Sequence, residues 1–279
     1  MKAELVFIGN NGIVLDLFRN EYFTLTDVEG MTRFNAEISS AASPNMDGDT
    51  INSVKATPRS LVLNLRINQG VDIEQAKRLI LSAVKPKQKG RLRLTRGGRT
   101  TEIEGIVEGI EMPRFQNGVS MQIPLYCSEP YWRDAQYILF TISRIVGLHY
   151  FEEAFPVAGI PLGMYEVTMT RSYTNDGDAS CGMIITIIAT GTVTNPRIIK
   201  ADGSFIGVND TMQAGESIII NTSRGEKSIT KGGVSIFSKI QQGSKFIQLD
   251  TGVNVLTIDS DDDTEGNMYF NVEFKRRFV

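Results

Sequence analysis

The chain has 279 residues, of which 41% are hydrophobic and 22% charged, a composition typical of a globular protein with more than one domain. Its 29 lysine and arginine residues against 32 aspartate and glutamate residues give a net charge of −3, which excludes a broad positive field for nucleic acid. No stretch reaches the roughly 18 apolar residues of a membrane span, and the N-terminus turns polar too early for a signal peptide.

The first part of the chain alternates short apolar runs with turn sequences, which predicts an antiparallel sheet. Leu5–Ile8 and Ile13–Phe18 flank a Gly-Asn-Asn-Gly turn and predict a hairpin. Leu61–Ile67 places its apolar residues on one face of a further strand. Ser39–Thr57 shows no hydrophobic period, so we expect a long loop there.

One helix is predicted, over about Asp72 to Val84. Asp72 is a favourable N-cap, and Gln75 stands at the position of a capping box. Pro86 ends the helix because proline cannot continue it. The apolar stripe at helical spacing is formed by Ile73, Ala76, Ile80, Ala83 and Val84.

An arginine-rich hairpin follows the helix, with Gly97-Gly98 between two alternating runs. Its arginines alternate with leucines, so a solvated strand face is the simplest interpretation. A subunit interface, where arginine is enriched, is the alternative. The residues concerned are Arg91, Arg93, Arg96 and Arg99.

A further strand, Val119–Leu125, leads to Pro130, which ends it, and then to Tyr131 and the only tryptophan, Trp132. Large aromatic side chains at this point plug the edge of a core or pack one domain against the next. Together these elements predict a compact α+β domain over 1–132.

The rest of the chain predicts strands almost throughout. After a connecting segment, 133–162, some eight short strands separated by polar turns follow between Met164 and Phe274. This spacing predicts a second domain over 163–279, a β-sandwich of jelly-roll type.

Candidate catalytic residues are few. His149, the only histidine, lies in an aromatic-rich stretch without a recognised nucleophile motif, which favours a packed or surface side chain. Cys127 and Cys181 match no metal-ligand spacing, and we interpret both as buried thiols, with a disulfide as the alternative.

The acidic segment Asp259–Gly266 begins like a calcium-binding EF-hand loop. Thr264 stands where that loop needs glycine and Phe270 where it needs glutamate, so the EF-hand interpretation fails. A solvated turn is the preferred interpretation, and calcium held by the turn alone is the alternative. We expect no catalytic, cofactor-binding or metal-binding residue in the chain, and no cofactor.

Seven segments, in this order, resemble the distal tail protein (Dit) family of long-tailed, siphovirus-type bacteriophages and related prophage tails. The resemblance runs nearly from end to end of the chain. The segments are Thr57–Leu63, Glu104–Glu108, Tyr126–Trp132, Thr194–Ile198, Gly215–Thr222, Gly225–Ser228 and Leu249–Asn254.

The resemblance implies a mostly β fold with one helix. Its N-terminal domain would be a tail-tube-like split β-barrel or sandwich, and its C-terminal domain a galectin-like jelly-roll sandwich. It implies a structural protein of the virion, not an enzyme, which is made in the host cytoplasm and placed at the distal end of the tail. Six copies would form a ring with a central channel for DNA.

The partners implied are the tail tube protein and the tail-associated (tail-tip) protein, with the tape-measure and receptor-binding proteins beyond them. Neither sequence-specific nucleic-acid recognition nor membrane binding is implied. A six-fold ring needs two different complementary faces on each subunit, for which Ser39–Thr57 and the arginine-rich hairpin are candidates. We expect Ser39–Thr57 to be mobile in the free subunit.

The alternative function is a carbohydrate-binding module that acts in host cell-wall attachment, because sandwich domains often bind sugars through exposed aromatic rings. A hydrolase has little support beyond His149. The aromatic candidates for sugar binding are Tyr165, Tyr173, Phe205, Phe237 and Phe246.

Overall fold

The computed structural model describes residues 3–42, 47–111, 120–142, 144–146, 164–166 and 169–279, with the backbone alone for the two three-residue stretches. The chain divides into two compact units. Unit 1 comprises residues 1–135 together with 278–279, and unit 2 comprises residues 136–277. The division into folding domains at 132 and 163 stays a prediction.

The strands of unit 1 form one antiparallel sheet in the order β2-β1-β7-β8-β9-β6-β3, with β10 added to β8 and a separate β4-β5 pair. The elements are β1 (Glu4–Gly9), β2 (Val14–Asp16), β3 (Phe23–Glu29), β4 (Ala36–Ala42), β5 (Asp49–Ala56), β6 (Arg59–Ile67), α1 (Ile73–Ala83), β7 (Lys89–Arg96), β8 (Arg99–Val107), β9 (Ser120–Cys127) and β10 (Trp132–Asp134).

The core of unit 1 forms because alternate residues of each strand point to the same side of the sheet. In β6, which lies next to the edge strand β3, every second side chain is buried, and the same holds for β9, its other neighbour. Trp132 is 5% exposed and lies in this core. Trp132 therefore completes the core of its own unit.

The predicted helix is present as α1. The side chain of Asp72 caps it by accepting a hydrogen bond from the backbone nitrogen of Glu74 at 2.9 Å. Ala76, Ile80 and Ala83 are buried against the sheet, as the apolar stripe predicts. Ile73 is 42% exposed, so its place in the stripe is a wrong prediction; the first turn of the helix extends beyond the core.

The prediction of a long loop over Ser39–Thr57 is also wrong. Strands β4 and β5 pair along most of this segment, from Ala36 opposite Ala56 to Ala42 opposite Asp49. All but one of their residues are exposed on both faces of the pair. The segment has no hydrophobic period because neither face packs on the core.

The strands of unit 2 form two larger sheets, β11-β23-β15-β19-β20-β21 and β14-β22-β16-β17, with β18 paired to β16 and a separate β12-β13 pair. The elements are β11 (Ile138–Ile142), β12 (Arg144–Val146), β13 (Met164–Glu166), β14 (Thr170–Asn175), β15 (Met183–Ala189), β16 (Val193–Lys200), β17 (Phe205–Gly207), β18 (Thr211–Met212), β19 (Ser217–Asn221), β20 (Ser228–Lys231), β21 (Val234–Ser235), β22 (Gly252–Asp261) and β23 (Met268–Phe274), with short 3-10 helices at Phe237–Lys239 and Glu265–Asn267. The last strand of the chain, β24 (Arg277–Phe278), belongs by its pairing with β10 to the sheet of unit 1.

Both large sheets of unit 2 contribute one buried face to a single core. Ile185 of β15 and Val272 of β23 come from one sheet, and Leu256 of β22 and Ile198 of β16 come from the other; each is fully buried. A core shared by two inner sheet faces defines a β-sandwich.

The expected fold class, mostly β with one helix in the N-terminal part, is confirmed for the described residues. Among these residues no helix has the length and apolar character that crossing a membrane requires.

The cap of α1 gives a direct test of the fold of unit 1. Asp72→Ala removes the side-chain acceptor at the helix N-terminus and should lower the free energy of unfolding by about 1 kcal/mol. Denaturant unfolding followed by the fluorescence of the single, buried Trp132 measures this change. Asp72→Asn keeps an acceptor and should retain most of the stability. Equal losses in both variants would contradict the capping role.

Candidate functional site: an exposed arm and the pocket at its base

The β4-β5 pair forms an arm on unit 1, which we define as Ala36–Ala42 together with Asp49–Ala56. Among the described strands, β4 and β5 pair only with each other. A two-stranded hairpin with both faces in water is marginally stable by itself. Within the described residues, the arm therefore has no strand partner beyond its own hairpin.

An irregularity in the arm concentrates its apolar side chains on one face. Ile38 lies opposite Val54, and Ser40 lies opposite Ile51, because a β-bulge shifts the register after Ser39. Cross-strand partners share a face, and so do residues two apart on a regular strand such as 38 and 40. The bulge thereby brings Ile51 to the face of Ile38 and Val54.

These three β-branched side chains are 60–62% exposed. On the opposite face, Glu37 and Lys55 form an ion pair of 3.1 Å that is open to solvent and adds little stability. The arm therefore has one apolar face and one charged face. An exposed apolar face of this kind is typical of a protein–protein contact.

The base of the arm is fixed by backbone contacts. Thr57, after β5, donates its backbone N–H to the carbonyl of Asn35 at 3.0 Å, closing the hairpin where it leaves the sheet. Gly30 precedes the segment that leads into β4 and has a φ of +80°. A side chain does not fit at this position, because a Cβ would lie 2.2 Å from the carbonyl oxygen of Ser60. The ring of Phe34 packs on that of Tyr131, with 5.1 Å between centroids.

A pocket of about 150 Å³ opens at this base. Arg59, the first residue of β6, lines it and is 4% exposed. The Arg59 Nη1 donates to the carbonyl of Met31 at 3.3 Å, and the guanidinium lies 5.7 Å from the centre of the Phe34 ring. Its Nε and Nη2 have no hydrogen-bond partner in the described part of the protein.

Cys127 lies opposite Arg59 in the β6-β9 pair. Burial raises the pKa of the Cys127 thiol to about 12, with a smaller raising contribution from Glu104 and an opposing one from Arg59. The thiol is therefore neutral and does not balance the charge of Arg59. Burial also lowers the pKa of Arg59.

The interpretation of the cysteines as buried thiols is confirmed, since Cys127 in unit 1 and Cys181 in unit 2 are both buried and neither is part of a disulfide. His149 lies outside the described residues, and so does the side chain of Tyr165. The absence of catalytic and cofactor-binding residues stays a prediction.

The arginine-rich hairpin is present, and both glycines of its turn have positive φ. Its charges are partly balanced within the hairpin: Arg93 donates to Glu102 at 3.3 Å, and Arg91 lies 3.9 Å from the same carboxylate. The guanidinium of Arg99 stacks over Phe278 at 4.3 Å. These contacts fit the structural interpretation of the hairpin, and its interface role stays a proposal.

The acidic segment Asp259–Gly266 forms ion pairs with Arg197. Arg197 donates to Asp259 at 2.6 Å and to Asp261 at 2.8 Å. A hydrogen bond from Asn195, followed by those from Arg197, lowers the pKa of Asp261. No group of three histidine, cysteine, aspartate or glutamate side chains is placed to hold a metal ion within the described residues.

The aromatic candidates for sugar binding have different surroundings. Tyr173 stacks on Phe140 and packs edge-on against Phe274, so it supports the core of unit 2. Phe237 is 45% exposed and stacks on Phe246 with 5.8 Å between centroids. Lys227 lies 5.0 Å from the Phe246 ring. Among the described candidates, Phe237 is therefore the most exposed.

Sequence reasoning missed two features. Arg59 belongs to the family-like segment Thr57–Leu63, but no local pattern predicts that its guanidinium is buried at the base of an arm. Asp210 is a partly buried centre of charge that accepts from Lys231 at 3.0 Å and from Lys239 at 2.8 Å. Burial alone would raise the pKa of Asp210, and these two hydrogen bonds lower it.

Comparison with known proteins places these features in a family context. Residues 176–278 match the sequence model of the family described as "Siphovirus-type tail component, C-terminal domain". Among solved structures, the chain matches the Dit protein (gp 19.1) of phage SPP1 with a TM-score of 0.72 at 13% identity, over 100% of both chains. That protein is described as a paradigm of the hub adsorption apparatus in phages that infect Gram-positive bacteria. No curated protein sequence matches the chain.

Two structures of the phage P2 baseplate in its activated conformation also match over 100% of both chains. The calcium form has a TM-score of 0.52 at 11% identity, and the strontium form has 0.51 at 10%. At such identities the structural likeness establishes the fold. The family match lies in unit 2 apart from its last residue, 278, and the fold match spans both units, so the resemblance to the distal tail proteins is confirmed.

The raised pKa of the Cys127 thiol predicts that the stability of unit 1 depends on pH in the alkaline range. Its pKa is about 12 in the folded protein and has an ordinary value of 9.0. Between these values the unfolded chain releases a proton that the folded chain keeps. The free energy of unfolding should therefore fall by about 1.4 kcal/mol per pH unit from this group.

Denaturant unfolding of the wild type and Cys127→Ala, followed by Trp132 fluorescence from neutral to alkaline pH, measures the effect. Cys127→Ala should show a shallower decline above the ordinary thiol pKa. Cys181→Ala, in unit 2, should leave the decline of this transition unchanged. Parallel pH profiles for the wild type and Cys127→Ala would contradict the assignment.

Proposed function

We propose that this chain is a structural hub protein at the distal end of a bacteriophage tail. In this role it joins the tail tube to the tail-tip or baseplate apparatus and has no catalytic activity of its own. The observation that carries the proposal is the likeness of the whole fold, over both units, to the SPP1 hub protein. The family match of residues 176–278 supports it independently from sequence.

The proposal extends to a ring of six copies with a central channel for DNA, bounded by the tail tube protein on one side and the tail-associated protein on the other. Tape-measure and receptor-binding proteins are the further partners, and the finished virion is its location. The arm supports this extension, because it presents an apolar face that no described part of its own chain covers.

A ring also needs two unlike faces on each copy, since neighbours meet head to tail. The apolar face of the arm supplies one face of this kind. The hairpin of β7 and β8, with Arg91 and Arg96 on its strands, is the candidate for the other. The net charge of −3 suits a channel through which DNA passes without being held.

Carbohydrate binding in cell-wall attachment is the second candidate. The observation that favours it is the exposed ring of Phe237, which is stacked on Phe246. Rings of this kind provide flat apolar surface to sugars. A wild-type protein that stays monomeric at all concentrations and binds cell-wall glycans would favour this candidate over the hub.

Assembly should depend on the apolar face of the arm. Ile38→Asp and Val54→Asp each place a charge at an exposed position, so the folded monomer should stay within about 0.5 kcal/mol of wild type. If the arm packs against another copy, the introduced aspartate loses its contact with water there. Association should therefore weaken by about tenfold or more. Light scattering across concentration, with denaturant unfolding of each variant, measures both quantities.

Val253→Asp is the matched control, because Val253 is 71% exposed on β22 of unit 2. This variant should assemble like the wild type, which should reach the mass of six chains. Wild-type assembly that both arm variants leave unchanged would contradict the role of the arm. A wild-type mass of one chain at every concentration would contradict self-assembly into a ring.

A further inference from the structure

Unit 1 has a groove whose surface is complementary to the apolar face of the arm. The groove has a volume of about 330 Å³ and is lined by residues of β3 on one side and of β1 and β7 on the other. Strand β3 is the end of its sheet and pairs with β6 alone among the described strands. Apolar side chains form most of the lining: Leu5, Phe18, Leu25, Val28, Met31 and Leu94.

The groove is open because the core of unit 1 is incompletely covered at β3. Leu25 lies opposite Leu65 in the β3-β6 pair, which places it on the core side of its strand. Val28 lies opposite Leu63 in the same pair. Both leucines of β6 are buried, whereas Leu25 and Val28 are only half-buried. Phe18, in the wall of the groove, is 48% exposed, so the groove presents apolar surface to the outside of the chain.

The arm presents a compact apolar cluster. Ile38, Ile51 and Val54 share one face, within about 7 Å along the strands and about 5 Å across them. Each of the three is 60–62% exposed. Side chains of this kind anchor a protein interface when they fill a pocket of the partner, and the groove offers such a pocket.

The apolar face of the arm carries one charge among its described residues, Asp49, at the end away from the base. Asp49 precedes Ile51 by two residues, and residues two apart on a strand share a face. It accepts a hydrogen bond from Ser40, the cross-strand partner of Ile51, at 3.0 Å. The face is therefore apolar with an acidic outer end.

One end of the groove is basic. Arg96, on its rim, is exposed and lies opposite Arg99 in the β7-β8 pair. Like charges opposite each other on two strands are unfavourable, so a carboxylate placed between them is favourable. Asp27, on the β3 side of the rim, repels the same carboxylate. An arm that enters the groove is therefore oriented with its acidic outer end toward β7.

We propose that the groove receives the arm of a second copy of this chain. Ile38, Ile51 and Val54 pack on the apolar lining, and Asp49 pairs with Arg96. Because every copy carries both surfaces, each gives its arm to one neighbour and its groove to the other, as a head-to-tail ring requires. The inference rests on the ring proposed above and specifies the contact that closes it.

Thiol crosslinking between copies tests this contact. Phe18→Cys in the groove and Ile51→Cys in the arm each change an exposed residue, and the native cysteines are buried. A short thiol-specific crosslinker is added at a concentration where light scattering shows assembly. An equal mixture of the two variants should give a product of two chains that neither variant gives alone. The combined variant should give a ladder of products up to six chains, because the contact runs head to tail.

Val253→Cys is the matched control, because Val253 is 71% exposed on β22 of unit 2. Mixed with Phe18→Cys, it should give no more product than the wild type. Assembled protein in which the groove and arm cysteines give no product, or no more than this control, would overturn the groove contact and leave the ring standing. A wild type that stays a single chain at every concentration would contradict the ring and this contact together.

Charge reversal provides an independent test of the orientation. Arg96→Asp and Asp49→Arg each change an exposed residue and should each weaken association about 1.5-fold to fivefold. The combined variant should associate like the wild type, because the pair is restored with its charges exchanged. A combined variant that loses as much as the two single losses multiplied would overturn the pairing of Asp49 with Arg96.

Discussion

Strand β6 is the element on which the rest of unit 1 depends. It pairs with β9 on one side and with β3 on the other, and every second side chain from Leu61 to Ile67 is buried. Each such leucine contributes roughly 1.5–3 kcal/mol by its burial. The same strand begins at Arg59, directly after the arm and Pro58. The buried sheet thus sets the position of the exposed arm and orients the guanidinium in the pocket.

The strands of the arm and the strands of the core are stabilised in different ways. Strands of the core are stable because one face leaves water, whereas β4 and β5 keep both faces in water and gain only their cross-strand pairing. A chain that maintains Ile38, Ile51 and Val54 on one exposed face of such a pair is suited to pack that face against another chain. The hub proposal gives this arrangement a physical reason, since a ring is held together by surfaces that single copies leave open.

Much of the fold was predictable where burial is one-sided. The strands Leu61–Ile67 and Met183–Ala189 and the helix after Asp72 follow from periodicity, capping and turn residues. The arm was not predictable, because neither of its faces packs on the core and the bulge interrupts the alternation between Ile51 and Val54. The pocket was not predictable either: whether the fork of Arg59 is paired depends on segments that meet only in the folded protein.

The central claim is that the face of the arm is covered by another chain in the assembled protein, and hydrogen exchange of the wild type across concentration tests it most directly. Backbone amides of β4 and β5 should exchange fast in dilute monomer and become protected as mass increases, while amides of β6 stay protected throughout. Arm amides that exchange equally fast in monomer and assembly, at concentrations where light scattering shows assembly, would contradict the account.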